Sequence, residues 1–333
     1  MMNMHDSQHF LSKQLRGTLT QNELMSRHVS WRAGGQATRC YQPTDLADLQ
    51  TFIATVDAAE PILFVGLGSN LLVRDGGYAG TVILTNPLLG GIALDAIDNT
   101  IVVAGAGVAS PHLAKFAAKN SLTGAAWLAG VPGTVGGALA MNAGCYGTET
   151  WQQIVDCVTI DRLGKLHTRT AADFEIGYRH VVATTVATTM ATTVATTAAI
   201  TVATTAAITP SAEEFFVSAR FRFEAGDATQ ALAEIKALLA KRIATQPLDK
   251  PNAGSTFRNP PNDFAARLIQ SCGLKGFTIG GAQVSTKHAN FIINTGEASA
   301  KDIEDLITHM QVSVKKDTGV DLIREVKIVG DAK

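Results

Sequence analysis

A chain of 333 residues with a net charge of −1 and an apolar fraction of 46% can form about two domains. It has neither the basic excess that coats nucleic acid nor an acidic tail, so any anionic ligand must be held by local groups. Residues 1–20 hold no apolar run of signal-peptide length. The four cysteines (Cys40, Cys145, Cys157 and Cys272) form no C-x-x-C pair and no metal-ligand spacing, so a cytoplasmic protein with reduced thiols and no metal is expected.

Taken in chain order, Thr44–Ala59 places Leu46, Leu49, Phe52, Ile53 and Val56 at helical spacing behind a threonine cap. Pro61–Val65 is a short buried strand that runs into Gly66-Leu67-Gly68-Ser69-Asn70, and Leu71–Val73, Thr81–Leu84 and Ile101–Ala104 are further strands. Backbone N–H groups can converge on a phosphate where a glycine loop follows a strand. The third glycine of a dinucleotide-binding Rossmann fingerprint is missing, however, and a strand follows where that fingerprint needs a helix. Gly105-Ala106-Gly107 fails in the same way and reads as a tight turn. Pro111 behind Ser110 opens a helix.

The stretch Ala129–Ala138 (AGVPGTVGGA) continues to Asn142-Ala143-Gly144-Cys145-Tyr146-Gly147. Such glycine density is costly in chain entropy, and core packing does not require it. A ligand cradle, with Thr134 and Asn142 adding hydrogen bonds, stands against simple turn chemistry. Cys145 has no histidine near it in sequence and reads as a packing residue.

From residue 181 to 209 the chain uses only Val, Ala, Thr, Met and Ile, and the octet 194–201 recurs unchanged as 202–209. Tandem identity points to expansion of a short repeat. With 12 threonines in 29 residues and no Leu or Phe, the stretch is weakly apolar for a membrane span. A surface loop or irregular insertion is expected. Beyond it come helices over Ala228–Ala244, over Asp263–Cys272 (ended by Gly273) and over Ala300–Lys316 behind Ser299. A last strand, Leu322–Val329, sets Glu325 beside Ile323 and Val329 on one face, projecting between two buried faces.

Gly177-Tyr178-Arg179, Gly254-Ser255-Thr256-Phe257-Arg258-Asn259-Pro260 and Glu325 hold a guanidinium, a hydroxyl and a carboxylate in three separate segments. Singly, Arg179 fits a surface ion pair, Ser255 a turn and Glu325 an exposed strand position. Together with residues 65–75 (VGLGSNLLVRD), 129–137, 141–147 (MNAGCYG), 273–276 (GLKG), 280–291 (GGAQVSTKHANF) and 325–330 (EVKIVG), they closely resemble the UDP-N-acetylenolpyruvoylglucosamine reductase family. The resemblance covers about residues 24–180 and 213–330, and the GGAQVS ending is similar to the family's shorter subclass.

That resemblance implies an α+β fold. A two-part FAD-binding region of the vanillyl-alcohol-oxidase (PCMH) type would be followed by a C-terminal α/β substrate-binding domain. The corresponding division is an N-terminal extension at 1–22, FAD-binding subdomains at 23–90 and 91–225, and a substrate domain at 226–333. The implied reaction is NADPH-dependent reduction of the enolpyruvyl double bond of UDP-N-acetyl-3-O-(1-carboxyvinyl)-glucosamine to UDP-N-acetylmuramate, a peptidoglycan precursor. The implied protein is a monomer or weak homo-oligomer with no nucleic-acid or membrane partner.

By the same resemblance, FAD is held by Gly66, Gly68, Ser69, Asn70, Gly130, Gly133, Thr134, Gly136, Gly137 and Asn142. Arg179, Ser255 and Glu325 fall on the catalytic positions. Polar residues for the nucleotide sugar are Tyr178, Arg258, Asn259, Lys275, Gln283 and Lys287, while His288 reads as a packing residue. Arg179 suits a carboxylate on which charge develops. Glu325 suits a partner kept protonated by burial, and Ser255 suits the final proton donor. A related FAD oxidase acting on another small acid, or a flavin or nucleotide-sugar binder without turnover, remains the alternative. The chain departs from the family at Val181, where a serine is usual and the repeat begins.

Overall fold

The computed structural model describes residues 15–86, 89–184 and 213–333. Strand Gln36–Gln42 runs parallel to Tyr78–Leu84, which is itself parallel to Ile62–Val65. Thr18–Leu24 closes the other edge antiparallel to Gln36–Gln42, so residues 18–22 are part of this sheet and not only an extension ahead of it. The helix beside the sheet spans Leu46–Ile53, and its cap is Asp45, whose carboxylate accepts the Asp48 N–H, not Thr44. It stops short of the expected Ala59 because Thr55 and Val56 donate to the carbonyls three residues back, tightening the last turn.

A second, five-stranded antiparallel sheet has the order Leu166–Arg169, Ile154–Asp161, Glu214–Arg222, Ile101–Gly105 and Ile92–Leu94. Helices Ser110–Lys119 and Val135–Met141 pack on it through Leu113, Ala117 and Leu139. Helix Ala228–Thr245 joins the same core through Ala231 and Ile235. That packing departs from the division at residue 226 drawn from the sequence, because the helix lies with the middle core.

The hairpin Phe174–Gly177 and His180–Ala183 borders this region, with Val181 paired to Ile176. The first residues of the repetitive segment are therefore strand, not irregular insertion, and residues 185–212 lie outside the described part. Among the described residues no helix is long and apolar enough to cross a membrane.

The C-terminal region is built on helix Ala300–Thr318. Ser299 and Asp302 form a reciprocal capping box, and Ile303, Leu306, Ile307, Met310 and Val314 recur at three- and four-residue spacing on the buried face. Each such burial contributes roughly 1.5–3 kcal/mol. Gly319 ends the helix at φ +76. Helix Ala265–Ser271 and a small sheet of Thr278–Ile279, Ala282–Val284 and Ile292–Asn294 complete this core.

The expected strand Leu322–Val329 is reduced to Lys327–Val329, which pairs in parallel with Leu71–Val73 of the first region. Ile323 is 61% exposed, so Glu325 does not project from a strand buried on both sides. Trp31 crosses in the opposite direction. It is fully buried in the C-terminal core and donates Nε1 to the Ile292 carbonyl at 2.8 Å.

Candidate active site

The two glycine loops meet face to face. A Cβ on Gly66 would lie 2.3 Å from Thr134 Oγ1, and Gly68, at φ +58, would clash with the His28 carbonyl at 2.2 Å. Glycine is therefore required at both positions, at Gly66 where the loops close on each other and at Gly68 where the first loop packs on His28. Thr134 caps helix Val135–Met141, its hydroxyl accepting the Gly137 N–H at 3.5 Å.

Together the loops wall a cleft of about 520 Å³ whose floor and sides include Phe64, Ser69, Gly133, Gly137 and Ala138. The backbone N–H groups of Gly68, Ser69 and Asn70, and of Gly133 and Thr134, donate to no group among the described residues. A Cβ on Gly137 would meet nothing closer than 3.8 Å, so this glycine leaves open space at the cleft wall. Free donors on two converging loops, beside an apolar wall, fit a diphosphate joined to a flat aromatic group.

Arg179, Ser255 and Glu325 all line this cleft. Arg179 enters at the tip of the hairpin, and its Nε donates to Glu325 Oε1 at 2.6 Å, both side chains being 14% exposed. Its remaining nitrogens donate to the carbonyls of Asn142 and Gly144 at 3.2 Å, just past a helix C-terminus where a cation is favoured. The repeat that starts two residues later does not pull the arginine out of the site. Burial raises the Glu325 carboxyl above the ordinary glutamate range, and the neighbouring Arg179 offsets this only in part.

Ser255 and Glu325 are tied by their backbones. The Glu325 N–H donates to the Thr256 carbonyl at 2.9 Å, Phe257 bridges to Arg324, and the Thr256 N–H donates to the Asn290 carbonyl at 2.8 Å. Asn70 Nδ2 reaches the Glu325 carbonyl at 3.3 Å, which connects the first glycine loop to the carboxylate's strand.

Several expected contacts are taken up by the protein itself. Asn142 holds a left-handed helix end at φ +41, and its side chain bonds Glu149, the Gly177 carbonyl and the Trp151 N–H, leaving the cleft without it. Gly136 packs against Ala106 behind the cleft. Gly66, Gly68, Ser69, Asn70, Gly130, Gly133, Thr134 and Gly137 do line it.

None of Tyr178, Arg258, Asn259, Lys275, Gln283 and Lys287 does. Asn259 Oδ1 accepts the Ala265 N–H, Gln283 bonds the Gly276 carbonyl and Thr278, and Lys287 Nζ reaches the Ile243 carbonyl. Tyr178 and Arg258 instead surround Arg179.

Cys145 lines the cleft, but burial pushes its thiol up, away from a nucleophile's range. His288 is packed edge-on against Phe291, and burial lowers its pKa. Arg242 and Gln246, which line the cleft and bond each other at 2.8 Å, escape sequence reasoning. A basic residue in a last helical turn is already explained by the helix dipole, so Arg242 carries no separate signal.

A family profile described as "FAD binding domain" matches residues 37–168, the part that forms the glycine-loop cleft. Fold, cleft and profile together define an FAD-dependent oxidoreductase of α+β architecture. A second profile, described as "UDP-N-acetylenolpyruvoylglucosamine reductase, C-terminal domain", matches residues 246–329.

The chain is 52% identical to the UDP-N-acetylenolpyruvoylglucosamine reductase of Thiobacillus denitrificans, over 95% of this chain and 94% of that protein. It is 47% identical to the enzyme of that name from Legionella pneumophila (strain Lens), over 98% and 96%. The crystal structure of UDP-N-acetylenolpyruvylglucosamine reductase from Thermus caldophilus superposes with a TM-score of 0.72 at 27% identity, over 94% of this chain and 99% of that one. The chain belongs to the UDP-N-acetylenolpyruvoylglucosamine reductase family.

Proposed function

We propose that this protein reduces the enolpyruvyl double bond of UDP-N-acetyl-3-O-(1-carboxyvinyl)-glucosamine to give UDP-N-acetylmuramate, with NADPH as the ultimate hydride donor. In this reading residues 23–225 hold FAD and the part from about residue 246 holds the nucleotide sugar. When bound there and reduced by NADPH, FAD would supply the hydride for the terminal carbon of the double bond.

The observation that carries the reading is the Arg179–Glu325 pair at 2.6 Å, which shares one cleft with Ser255 and both glycine loops. As hydride adds, negative charge develops on the adjacent carbon and its carboxylate. Arg179 meets that charge with a guanidinium already fixed by three acceptors, so little reorganisation is needed. Burial raises the Glu325 carboxyl, which favours its neutral form and lessens its opposition to the new charge. Ser255 delivers the proton to the carbon that bore the charge and recovers it from solvent.

Purification with an absorption spectrum, followed by NADPH oxidation with and without the enolpyruvyl sugar, tests the reading. A flavin spectrum with sugar-dependent oxidation supports it, whereas a colourless protein that takes up no FAD overturns it.

A further inference from the structure

Arg179 reaches the cleft from a strained backbone. The turn that carries it joins Gly177 to His180 across two residues, and Arg179 stands there at φ +54. A residue with a side chain is strained in that region, so the surrounding structure must hold the turn.

Arg258 supplies the hold. Its Nη2 donates to the Arg179 carbonyl at 3.2 Å, and its guanidinium carbon lies 6.0 Å from the Tyr178 ring centroid. The Arg179 guanidinium lies 5.1 Å from the same centroid, so one aromatic ring interacts with both cations. Arg258 is itself well anchored. Its N–H donates to the Ile323 carbonyl at 2.9 Å, and the preceding Phe257 is buried and bridged to Arg324. A fixed segment of the C-terminal region thus grips a hairpin tip that is otherwise secured from its own side by Asn142, bonded to the Gly177 carbonyl.

We propose that Arg258 is a positioning residue. It holds the Tyr178-Arg179 turn from across the cleft and so keeps the Arg179 guanidinium on Glu325. The proposal rests on the role of Arg179 argued above. The competing assignment is a direct contact with substrate, for which the buried Arg258 Nε, without a partner among the described residues, would be available.

The two assignments separate in a double-mutant cycle on the full-length, FAD-loaded protein. The quantity read is the single-turnover rate at which the NADPH-reduced enzyme is reoxidised by the enolpyruvyl sugar, in wild type, R258A, R179A and R179A/R258A. Displacing Arg179 by about an ångström is expected to slow R258A roughly 10- to 100-fold. In the R179A background the same change should cost less than about twofold, because nothing is left to position. R258K should recover part of the rate, since an ammonium restores the bond to the carbonyl but not the planar stack.

Equal losses in both backgrounds would overturn the proposal and assign Arg258 to the substrate, and so would an unchanged rate in R258A. R179A turning over at the wild-type rate would instead sink the role of Arg179 itself. If R258A lacks the flavin absorbance, R258K carries the cycle with the same two outcomes.

Discussion

Two sets of polar residues look alike in the sequence and behave differently in the fold. Arg179, Ser255 and Glu325 come from a hairpin tip, a loop and a strand entry, and they line one cleft. Asn259, Gln283 and Lys287 sit in motifs of equal character, yet their side chains satisfy backbone groups of the protein itself. Motif membership identifies residues that matter without saying whether a ligand or the backbone is the partner. Convergence from distant segments distinguishes the two, because folding alone does not require a guanidinium, a hydroxyl and a raised carboxyl around one cavity.

The comparison predicts effects of different size and kind. Arg179→Ala should slow reoxidation by the enolpyruvyl sugar roughly 10²- to 10³-fold, the usual effect of removing a preorganised donor from developing charge. Stopped-flow flavin absorbance checks this, and a change of a few-fold would move Arg179 into the structural set. Gln283→Ala should lower stability by about 1 kcal/mol through its lost bonds, with KM for the sugar unchanged. A raised KM at unaltered stability would move Gln283 the other way.

Glu325 gives a pH-dependent test. Because its folded pKa is raised above the ordinary glutamate value of 4.5, the stability associated with its protonated form is fully present below that value and is lost as pH rises through the folded pKa. An amide cannot titrate. The Tm of Glu325→Gln minus that of wild type should therefore become more positive between about pH 4 and about pH 7. A constant difference across that range would show that Arg179 fully compensates the burial.

The repetitive segment should matter least. The chain leaves the described part with the Thr184 N–H on the Asp173 carbonyl and resumes at Glu213, paired to Arg162. Replacing residues 185–212 with a short Gly/Ser turn should change stability by only about 1 kcal/mol and preserve FAD content. Insoluble or flavin-free protein would show the segment to be part of the fold.

Much of this was legible in the sequence where local rules suffice. Ser299, Asp302 and the apolar spacing behind them define helix Ala300–Thr318, and the missing third glycine correctly argues against a Rossmann site. What the sequence could not show depends on long-range contact. The packing of Ala231 and Ile235 on the middle core, the crossing of Trp31 and the truncation of the last strand all follow from partners far along the chain. Asn142 is the clearest case. A polar residue in a glycine loop looks like a ligand contact, but its left-handed backbone and three internal bonds make it a structural hub.

In the proposed reaction Ser255 delivers the proton in the half-reaction with sugar and has no part in flavin reduction. The most direct measurement is stopped-flow flavin absorbance on Ser255→Ala, read first on mixing with NADPH and then on mixing the reduced protein with the enolpyruvyl sugar. Flavin reduction should stay near the wild-type rate and reoxidation should slow by a factor on the order of 10² or more, through loss of a positioned general acid. Equal slowing of both steps would contradict it and make Ser255 a structural residue of the loop.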